Sequence, residues 1–356
     1  MPALPAAGGT LFDPTFGTEI LRVTDSADGS NCSIAYSYWP SFNVDSTRLQ
    51  ATCSSGAKLF AIDPVDLVLG ASEPLFASAP PGGGMPSAED AIWSGIDPNV
   101  IYAHEGQRIW AYNVATHAWT LVKSFAGVLP PGYLWQMSRS IDDNVFAFTV
   151  EDTSWAFVGY AAWQRDTDTM LIHESSSLDE VQIDKSGNFL TVQTGLQGAG
   201  TIQVRVADLV HGTMVDLTDN GPDYAPAHGD SGVGIMVGND NWLNRVTYRS
   251  LATPHDVQTL LSYGSDWSQA MHTSLLVDGD AHAYVSLYGS HSTGLFHNEI
   301  IAVATDGSGS VYRLAHHRSV MNSYEDAPRA NVSRDGCRVA FTSNWGGSGR
   351  RDVFVL

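Results

Sequence analysis

Short apolar runs, separated by acidic or glycine-rich turns, recur seven times along the chain. The first copy runs from Phe42 through the turn Asn43–Asp45 to an apolar run that begins at Leu49. Asp and Gly favour a tight hairpin at such a turn, because both tolerate its backbone dihedral angles and Asp can bond its own backbone. Each copy therefore predicts two antiparallel strands joined by a short turn.

The spacing of the copies predicts how these hairpins are assembled. Successive copies lie about 40 to 57 residues apart, a period that is typical of the four-stranded blades of a β-propeller. The fifth copy lacks the turn aspartate and is placed by this spacing. The copies after the first occupy residues 96–102, 141–147, 183–190, 227–236, 277–284 and 333–341.

Seven blades account for nearly the whole chain, so we predict one all-β domain, a seven-bladed β-propeller. The last blade stops at its third strand, Asp352–Leu356, and the segment Glu19–Asp25 has the pattern of an outer strand. We predict that this N-terminal strand closes the last blade, because the pairing covers a sheet edge that would otherwise promote aggregation. The predicted blades span residues 36–78, 88–127, 133–175, 178–219, 225–263, 270–317 and 326–356, the last completed by residues 19–25.

Charge and composition exclude several partners. The chain has 18 Lys and Arg residues against 38 Asp and Glu residues, and this formal net charge of −20 repels nucleic acid and anionic membrane surfaces. No apolar run approaches the ~18 residues needed to span a bilayer. We therefore expect no nucleic-acid partner and no membrane partner. We also expect the chain to be a monomer.

The cysteines and the N-terminus bear on the compartment. The three cysteines have no metal-ligand spacing. Cys32 and Cys53 could form a disulfide in an exported protein, although buried free thiols are the favoured interpretation. The N-terminus shows no export signal, and a cleaved signal would leave no trace. The sequence thus leaves the compartment open, with a secreted or periplasmic location as our expectation.

The propeller geometry predicts where a site would lie. Inner strands begin at one face beside the central channel, so equivalent residues near these beginnings converge on one funnel. Counting six residues back from each turn aspartate gives Trp39, Ala91, Gln136, Leu178, His272 and Arg329. The equivalent residue of the fifth copy, placed by register, is His228, and these seven residues form the first ring. Side chains alternate along a strand, so residues two positions further on face the same way. This second ring consists of Ser41, Trp93, Ser138, Glu180, Asp230, Ser274 and Asn331.

Two histidines and an arginine at one level of the funnel are the main candidates for chemistry. His228, His272 and Arg329 come from consecutive predicted blades. Each has a structural alternative, since a histidine can bond a neighbouring backbone and Arg329 can pair with Glu325 or Asp326. Candidates for substrate contacts around them are Trp39, Trp93, Trp135, Gln136, Arg139 and Asn331. Tyrosines that could overhang the funnel are Tyr36, Tyr38 and Tyr324.

The copies at residues 273–284 and 330–343 resemble the repeats of TolB-like seven-bladed propellers. Among enzymes of that shape, the chain is most similar to polysaccharide lyases of the oligogalacturonate-lyase type, and the resemblance covers all seven units. It implies that His228 stands where the family has its base. It also implies that His272 stands where the family has a histidine ligand of a divalent metal, so Mn or Ca is a possible cofactor. Arg329 and Asn331 replace the two histidines of the family's Gln-x-x-His-x-His metal cluster.

Elimination across a uronic acid needs three groups. One neutralises the carboxylate, one removes the C5 proton, and one protonates the leaving glycosidic oxygen. Arg329 could pair with the carboxylate, and His228 or His272 could be the base. Tyr38 or the remaining histidine could supply the proton. We therefore expect a carbohydrate lyase acting on an oligosaccharide or polysaccharide, and the negative net charge favours a short, uronate-ended substrate.

Two other functions fit the same sequence. A non-catalytic propeller that binds a glycan or a protein would explain the altered metal cluster and the candidate tryptophans. A glycoside hydrolase would need two carboxylates about 5 to 10 Å apart. The carboxylates predicted near the channel are Glu89, Asp90, Glu180 and Asp230.

Overall fold

The computed structural model describes residues 1–194, 204–217, 226–240, 242–289 and 294–356. Residues 219 and 225, where we predicted the boundary between the fourth and fifth blades, lie outside these ranges. The strands are β1 (Thr10–Phe12), β2 (Glu19–Arg22), β3 (Cys32–Ser33), β4 (Arg48–Cys53), β5 (Gly56–Asp63), β6 (Val68–Pro74), β7 (Ile92–Trp93), β8 (Val100–Glu105), β9 (Arg108–Asn113), β10 (Ala118–Ser124), β11 (Gly132–Arg139), β12 (Val145–Asp152), β13 (Phe157–Gln164), β14 (Thr169–Glu174), β15 (Glu180–Ile183), β16 (Phe189–Gln193), β17 (Val204–Asp208), β18 (Thr213–Asp216), β19 (Pro226–Ser231), β20 (Ile235–Asp240), β21 (Arg245–Ser250), β22 (Val257–Ser262), β23 (Gln269–Ser274), β24 (His282–Gly289), β25 (Glu299–Ala304), β26 (Val311–His316), β27 (Asn331–Val332), β28 (Val339–Ser343) and β29 (Asp352–Val355).

These strands form seven antiparallel sheets, which confirms the predicted seven-bladed propeller. The first six blades are β3–β6, β7–β10, β11–β14, β15–β18, β19–β22 and β23–β26, each with its earliest strand next to the channel. Two short 3₁₀ helices, Ser26–Asp28 and Tyr324–Asp326, lie in connections. Apolar side chains of neighbouring blades pack into the clusters that hold the ring together. No helix of the described ranges is long and apolar enough to cross a membrane.

The seventh blade is closed by the N-terminus, as predicted. Strand β2 pairs with β29, with Leu21 opposite Val355 and Arg22 opposite Phe354. A buried ion pair of 2.7 Å between Arg22 and Asp352 reinforces the junction. Strand β1 adds a fifth, outermost strand that the sequence did not predict. The two chain ends therefore share one sheet.

The inner strand of the first blade is interrupted, and this interruption shapes the site. Strand β3 ends at Ser33, and pairing with β4 resumes only as a single bridge at Phe42. Between them the chain makes a turn in which the Trp39 N–H donates to the Tyr36 carbonyl at 3.0 Å. The turn carries Tyr36 and Tyr38 to the mouth of the channel.

Cys32 and Cys53 form a disulfide, so the favoured interpretation as free thiols was wrong for this pair. The two residues are 21 positions apart in sequence, but strand pairing places them directly opposite each other, with their Cα atoms 4.0 Å apart. Cys337 is free and exposed. Disulfides persist mainly in oxidising compartments.

Removing this disulfide should weaken the fold. Closing a loop of about 20 residues in the unfolded chain stabilises the native state by ~3 kcal/mol. We expect the C32S/C53S double variant to lose roughly that free energy of unfolding, measured by denaturant titration. The control is Cys337→Ser, which removes an exposed thiol that forms no disulfide. A loss no larger than that of the control would contradict the prediction.

Candidate active site

Four blades bring imidazole, phenol and guanidinium groups together at one mouth of the channel. His228 lies on β19, His272 on β23, and Arg329 just before β27. The two imidazole rings are 4.7 Å apart between centroids. Tyr36, from the interrupted strand of the first blade, lies 4.9 Å from the His272 ring. The convergence of the two histidines and the arginine expected from their ring positions is present in the structure.

Tyr36 is the centre of this cluster. Its hydroxyl lies 2.9 Å from His228 Nδ1 and 3.0 Å from His272 Nε2. The hydroxyl of Tyr324 is 2.6 Å from the Tyr36 hydroxyl and 3.1 Å from His272 Nε2. Two histidines and two tyrosines thus share one continuous hydrogen-bond network through which protons can move.

Burial distinguishes the two histidines. His272 is 0% exposed, and its ring stacks on Tyr288 at 5.0 Å. His228 is only partly buried, and its Nε2 makes no hydrogen bond with any described residue. Tyr324 is 48% exposed. A ligand in the funnel can therefore reach His228 and Tyr324, whereas His272 acts only through the tyrosine hydroxyls.

Arg329 covers the same cluster from the seventh blade. Its guanidinium lies 4.9 Å from the Tyr324 ring centroid and 5.6 Å from that of Tyr36. Arg329 Nη2 lies 3.4 Å from Glu325 Oε2, so the pairing with Glu325 given above as a structural alternative is present. Aromatic rings thus hold a guanidinium group whose side chain is only 12% exposed, and its buried Nε donor has no hydrogen-bond partner among the described residues.

The backbone at three inner-strand heads adopts an uncommon conformation. Gln136, His228 and Arg329 have φ values of 50°, 53° and 48°. Register shifts mark β-bulges at Gln136 in β11 and at His228 in β19. A left-handed conformation costs a non-glycine residue about 1–3 kcal/mol and is concentrated at functional sites, where bulges redirect side chains. The fold maintains this strain where the histidine and the arginine enter the funnel.

Electrostatics sets the protonation states of the network. Burial, and after it the charge of Arg329, lowers the pKa of His228. Burial, then His228 and Arg329, lowers the pKa of His272 further. Burial and the neighbouring Tyr324 hydroxyl raise the pKa of Tyr36. At neutral pH the imidazoles are therefore neutral potential bases, and the phenols are protonated potential acids.

These surroundings predict how protonation of the His228 imidazole depends on pH. Because the pKa of His228 is lowered, its imidazole takes up a proton only below the ordinary value of about 6.5. We expect an NMR titration of the His228 ring to show a midpoint below 6.5. Arg329→Gln, which removes the nearby positive charge, should move that midpoint upward. A His228 midpoint at or above 6.5 would contradict the lowered pKa.

The same turn holds a second tyrosine with a different partner. Tyr38 donates its hydroxyl to Glu180, whose other carboxylate oxygen accepts a hydrogen bond from Gln182 at 3.0 Å. Burial raises the pKa of Glu180 to about 8. The Tyr38 ring lies 4.7 Å from the Tyr36 ring. The hydroxyl beside the histidines therefore belongs to Tyr36, whereas the sequence analysis named Tyr38 as a candidate proton donor.

Several residues expected to contact substrate lie inside the wall. Trp39 and Trp93 are buried and donate their indole N–H groups to the carbonyls of Met137 and Ser41 at 3.1 Å. Asn331 is fully buried, and its amide bonds backbone groups that include the Trp39 carbonyl at 2.5 Å. These contacts fix the interrupted strand of the first blade.

The remaining expected contacts come from the third blade. Arg139 donates to the carbonyl of Trp93 at 2.7 Å and pairs with Asp143 at 3.2 Å. Trp135 is half-buried with its ring centroid 5.9 Å from that of His104, and Gln136 is partly exposed.

Two of the carboxylates considered for a hydrolase are structural. Asp230 is nearly buried and accepts hydrogen bonds from the backbone N–H groups of Leu275 and Ser231 at 2.6 and 2.7 Å. Asp90 is fully buried and lies 2.8 Å from His104 Nε2. Asp230 ties the fifth blade to the sixth, and Asp90 ties the second blade to the third by accepting a hydrogen bond from the Met137 N–H at 3.2 Å. Glu89 lies at the rim, where burial raises its pKa.

The channel below the cluster is too small for a sugar. It continues as a cavity of about 70 Å³ whose lining includes Tyr38, Ser138 and Gln182. A cavity of roughly 150 Å³ is needed for a ring the size of benzene. A ligand the size of a sugar ring would therefore have to bind in the open mouth, above the histidines.

The described residues do not fit a bound divalent metal. They contain no group of three His, Cys, Asp or Glu side chains arranged as ligands. His228 Nδ1 and His272 Nε2 both face the Tyr36 hydroxyl, and the cationic Arg329 occupies the position from which further ligands were expected. Among the described residues, His272 therefore lacks the partner ligands that a divalent metal would need.

Solved structures with the same fold include two oligogalacturonate lyases. One, in complex with manganese, has a TM-score of 0.69 and 13% identity, covering 99% of this chain and 96% of that chain. The other, from Vibrio parahaemolyticus, has a TM-score of 0.67 and 10% identity, covering 98% and 95%. TolB from Acinetobacter baumannii has a TM-score of 0.40 and 15% identity, covering 80% and 66%.

Comparisons of the sequence alone gave no match. No model of a protein family matches the chain, and no curated protein matches it either. At identities this low, the structural similarity to the two lyases shows a shared fold.

Proposed function

We propose that the protein is a lyase that cleaves an oligosaccharide or polysaccharide beside a uronic acid by β-elimination. The observation that carries the proposal is the Tyr36 network, which places a neutral, reachable imidazole, a phenol chain and a guanidinium around one point in the funnel. These are the three kinds of group that elimination needs. The disulfide supports a secreted or periplasmic location.

Arg329 would bind the uronate carboxylate. Its planar fork forms paired, charge-assisted hydrogen bonds with a carboxylate, and neutralising that group makes the C5 proton more acidic. The ion pair with Glu325 is long, at 3.4 Å, and the Glu325 carboxylate is mostly exposed. A substrate carboxylate would have to displace Glu325 or bind beside it, and the length of the ion pair and the exposure of Glu325 favour that exchange.

His228 would be the base. We assign its proton to Nδ1, which donates to the Tyr36 oxygen 2.9 Å away and leaves the Nε2 lone pair available in the funnel. His272 would be a positioning residue, because it is buried and contacts only the tyrosine hydroxyls on its Nε2 side. Under this assignment His228, and not His272, would reach the substrate.

Tyr36 and Tyr324 would return the proton to the leaving group. When Nε2 takes the C5 proton, the Nδ1 proton passes to Tyr36, the Tyr36 proton to Tyr324, and the Tyr324 proton to the glycosidic oxygen. The C5–H and C4–O bonds break, while a C4–C5 double bond and a new O–H bond form. His228 ends neutral in its other tautomer. The hydroxyl distance of 2.6 Å between the tyrosines suits this transfer.

The test is to incubate the protein with a panel of uronate-containing oligosaccharides in ¹⁸O-labelled water. Elimination gives a conjugated unsaturated uronate, which absorbs in the ultraviolet, and incorporates no ¹⁸O. Hydrolysis would give products that contain ¹⁸O and do not absorb. Labelled products that do not absorb in the ultraviolet, or silence across the panel with and without divalent metal, would overturn the proposal. Binding without any product would favour a non-catalytic propeller.

A further inference from the structure

The exposed tryptophans are concentrated on one face of the propeller. Of the ten tryptophans, three are more than half exposed, namely Trp155, Trp242 and Trp267 at 61%, 53% and 61%. Trp155 follows the end of β12, where Asp152 pairs with Gly132, the first residue of the inner strand β11. Trp242 follows the end of β20, where Asp240 pairs with Pro226, the first residue of the inner strand β19. Trp267 lies just before the inner strand β23. All three therefore lie on the face that carries the histidine cluster.

Trp155 differs from the other two because a second ring holds it in place. Tyr133 stacks against it with ring centroids 4.0 Å apart and ring planes 1° apart. This contact covers one face of the indole, and the exposure of 61% leaves the other face open. The pair forms a flat, preorganised surface, which we call the Tyr133–Trp155 platform.

The turn that carries Trp155 is also built at a cost. Trp155 has a φ of 66°, a left-handed conformation that is unfavourable for a bulky residue. The Asp152 carboxylate fixes this turn by accepting hydrogen bonds from the Ser154 and Ala156 N–H groups at 2.7 and 3.1 Å. The turn therefore holds a large apolar ring in an exposed position, packed on Tyr133 by one face and open at the other.

The charges around the platform indicate which ligand it takes. Asp152 carries the turn, and Glu174 ends the outer strand β14 of the same blade on the same face. No Lys or Arg side chain of the described residues pairs with either carboxylate. A second uronate would be repelled here, whereas the apolar face of a neutral pyranose can stack on the indole.

We propose that the Tyr133–Trp155 platform binds an uncharged pyranose unit of a chain whose uronate occupies the Arg329 site. The assignment of the uronate rests on the proposed function, and the platform itself does not. The platform lies on the third blade, across the funnel from the fifth, sixth and seventh blades that carry the histidines and the arginine. The substrate is accordingly a glycan that combines uronates with neutral sugars, and not a pure polyuronate.

The test measures binding without turnover. Isothermal titration of the His228→Ala variant is carried out with polygalacturonate as a pure polyuronate, and with rhamnogalacturonan and glucuronoxylan as chains that also contain neutral sugars. We expect binding to at least one mixed chain and weaker binding to polygalacturonate. Adding Trp155→Ala should reduce the affinity by about tenfold, the scale of one aromatic stacking contact. Trp155→Phe should retain most of it.

The matched control is Trp242→Ala, an exposed tryptophan on the same face without a ring contact in the described residues. Its affinity should stay within about twofold of the parent. The proposal is overturned by three results: no binding to either mixed chain, preference for polygalacturonate, or equal losses in Trp155→Ala and Trp242→Ala. If the mixed chain binds through Trp155 but wild-type protein forms no unsaturated product, the lyase proposal fails and the platform stands.

Discussion

Replacing His228 with alanine should reduce the rate of uronate elimination by about a thousandfold. The imidazole is the only reachable base in the Tyr36 network, and general-base catalysis contributes typically 10²–10⁴-fold. The loss should appear in kcat, because His228 makes no contact that would hold the substrate carboxylate. Initial rates of unsaturated-product formation measure it directly.

Two further variants make this prediction specific. His211→Ala removes an exposed histidine paired with Asp208 outside the site, and its activity should be unchanged. His272→Ala should cost less than His228→Ala, because His272 positions the tyrosine hydroxyls and does not touch the substrate. If His272→Ala is as inactive as His228→Ala while both proteins keep the wild-type unfolding transition, His228 is not the sole base.

The positions of His228, His272 and Arg329 were predictable because a propeller repeats one geometry. Counting back from each turn aspartate selects the same level of every inner strand, and the fifth copy could be placed by its period although it lacks the aspartate. The pairing of Glu19–Arg22 with the last strand was predictable for the same reason, since the seventh repeat lacks an outer strand.

The counting fails where a strand departs from the repeat. Tyr36 reaches the centre of the network because the first inner strand breaks off at Ser33 and turns back at Tyr36–Trp39. Side chains do not alternate between two faces through such a turn. The sequence therefore could not show whether Tyr36 or Tyr38 lies beside the histidines. The sequence feature that could have indicated Tyr36 is the pair Tyr36 and Tyr38, directly before the first turn.

The second ring was predicted less well, for a reason of space. Trp93 and Asn331 were expected to line a wet channel, but the cavity at that depth is only about 70 Å³. In so narrow a channel the side chains fill the interior and bond neighbouring backbone, as Trp93 does with the Ser41 carbonyl. The polar side chains of this ring therefore hydrogen-bond neighbouring blades to each other.

Replacing Arg329 with lysine should reduce kcat/KM for a uronate substrate by about a hundredfold, although the charge is kept. Lysine presents a point charge and cannot form the paired hydrogen bonds of a guanidinium. It also loses the stacking on Tyr324 and Tyr36 that holds the side chain at 4.9 and 5.6 Å. Hydrogen bonds to charged groups contribute ~1.5–3 kcal/mol, which corresponds to a loss of one to two orders of magnitude.

The matched control is Arg205→Lys, which makes the same replacement in a surface ion pair with Asp216 on the fourth blade. Its kcat/KM should equal that of the wild type. The methyl ester of the same oligosaccharide supplies a second comparison, because without a carboxylate the wild-type protein should lose the advantage that Arg329 gives it over Arg329→Lys. If wild type and Arg329→Lys still differ a hundredfold on the ester, Arg329 serves the site through the tyrosines and not through the uronate.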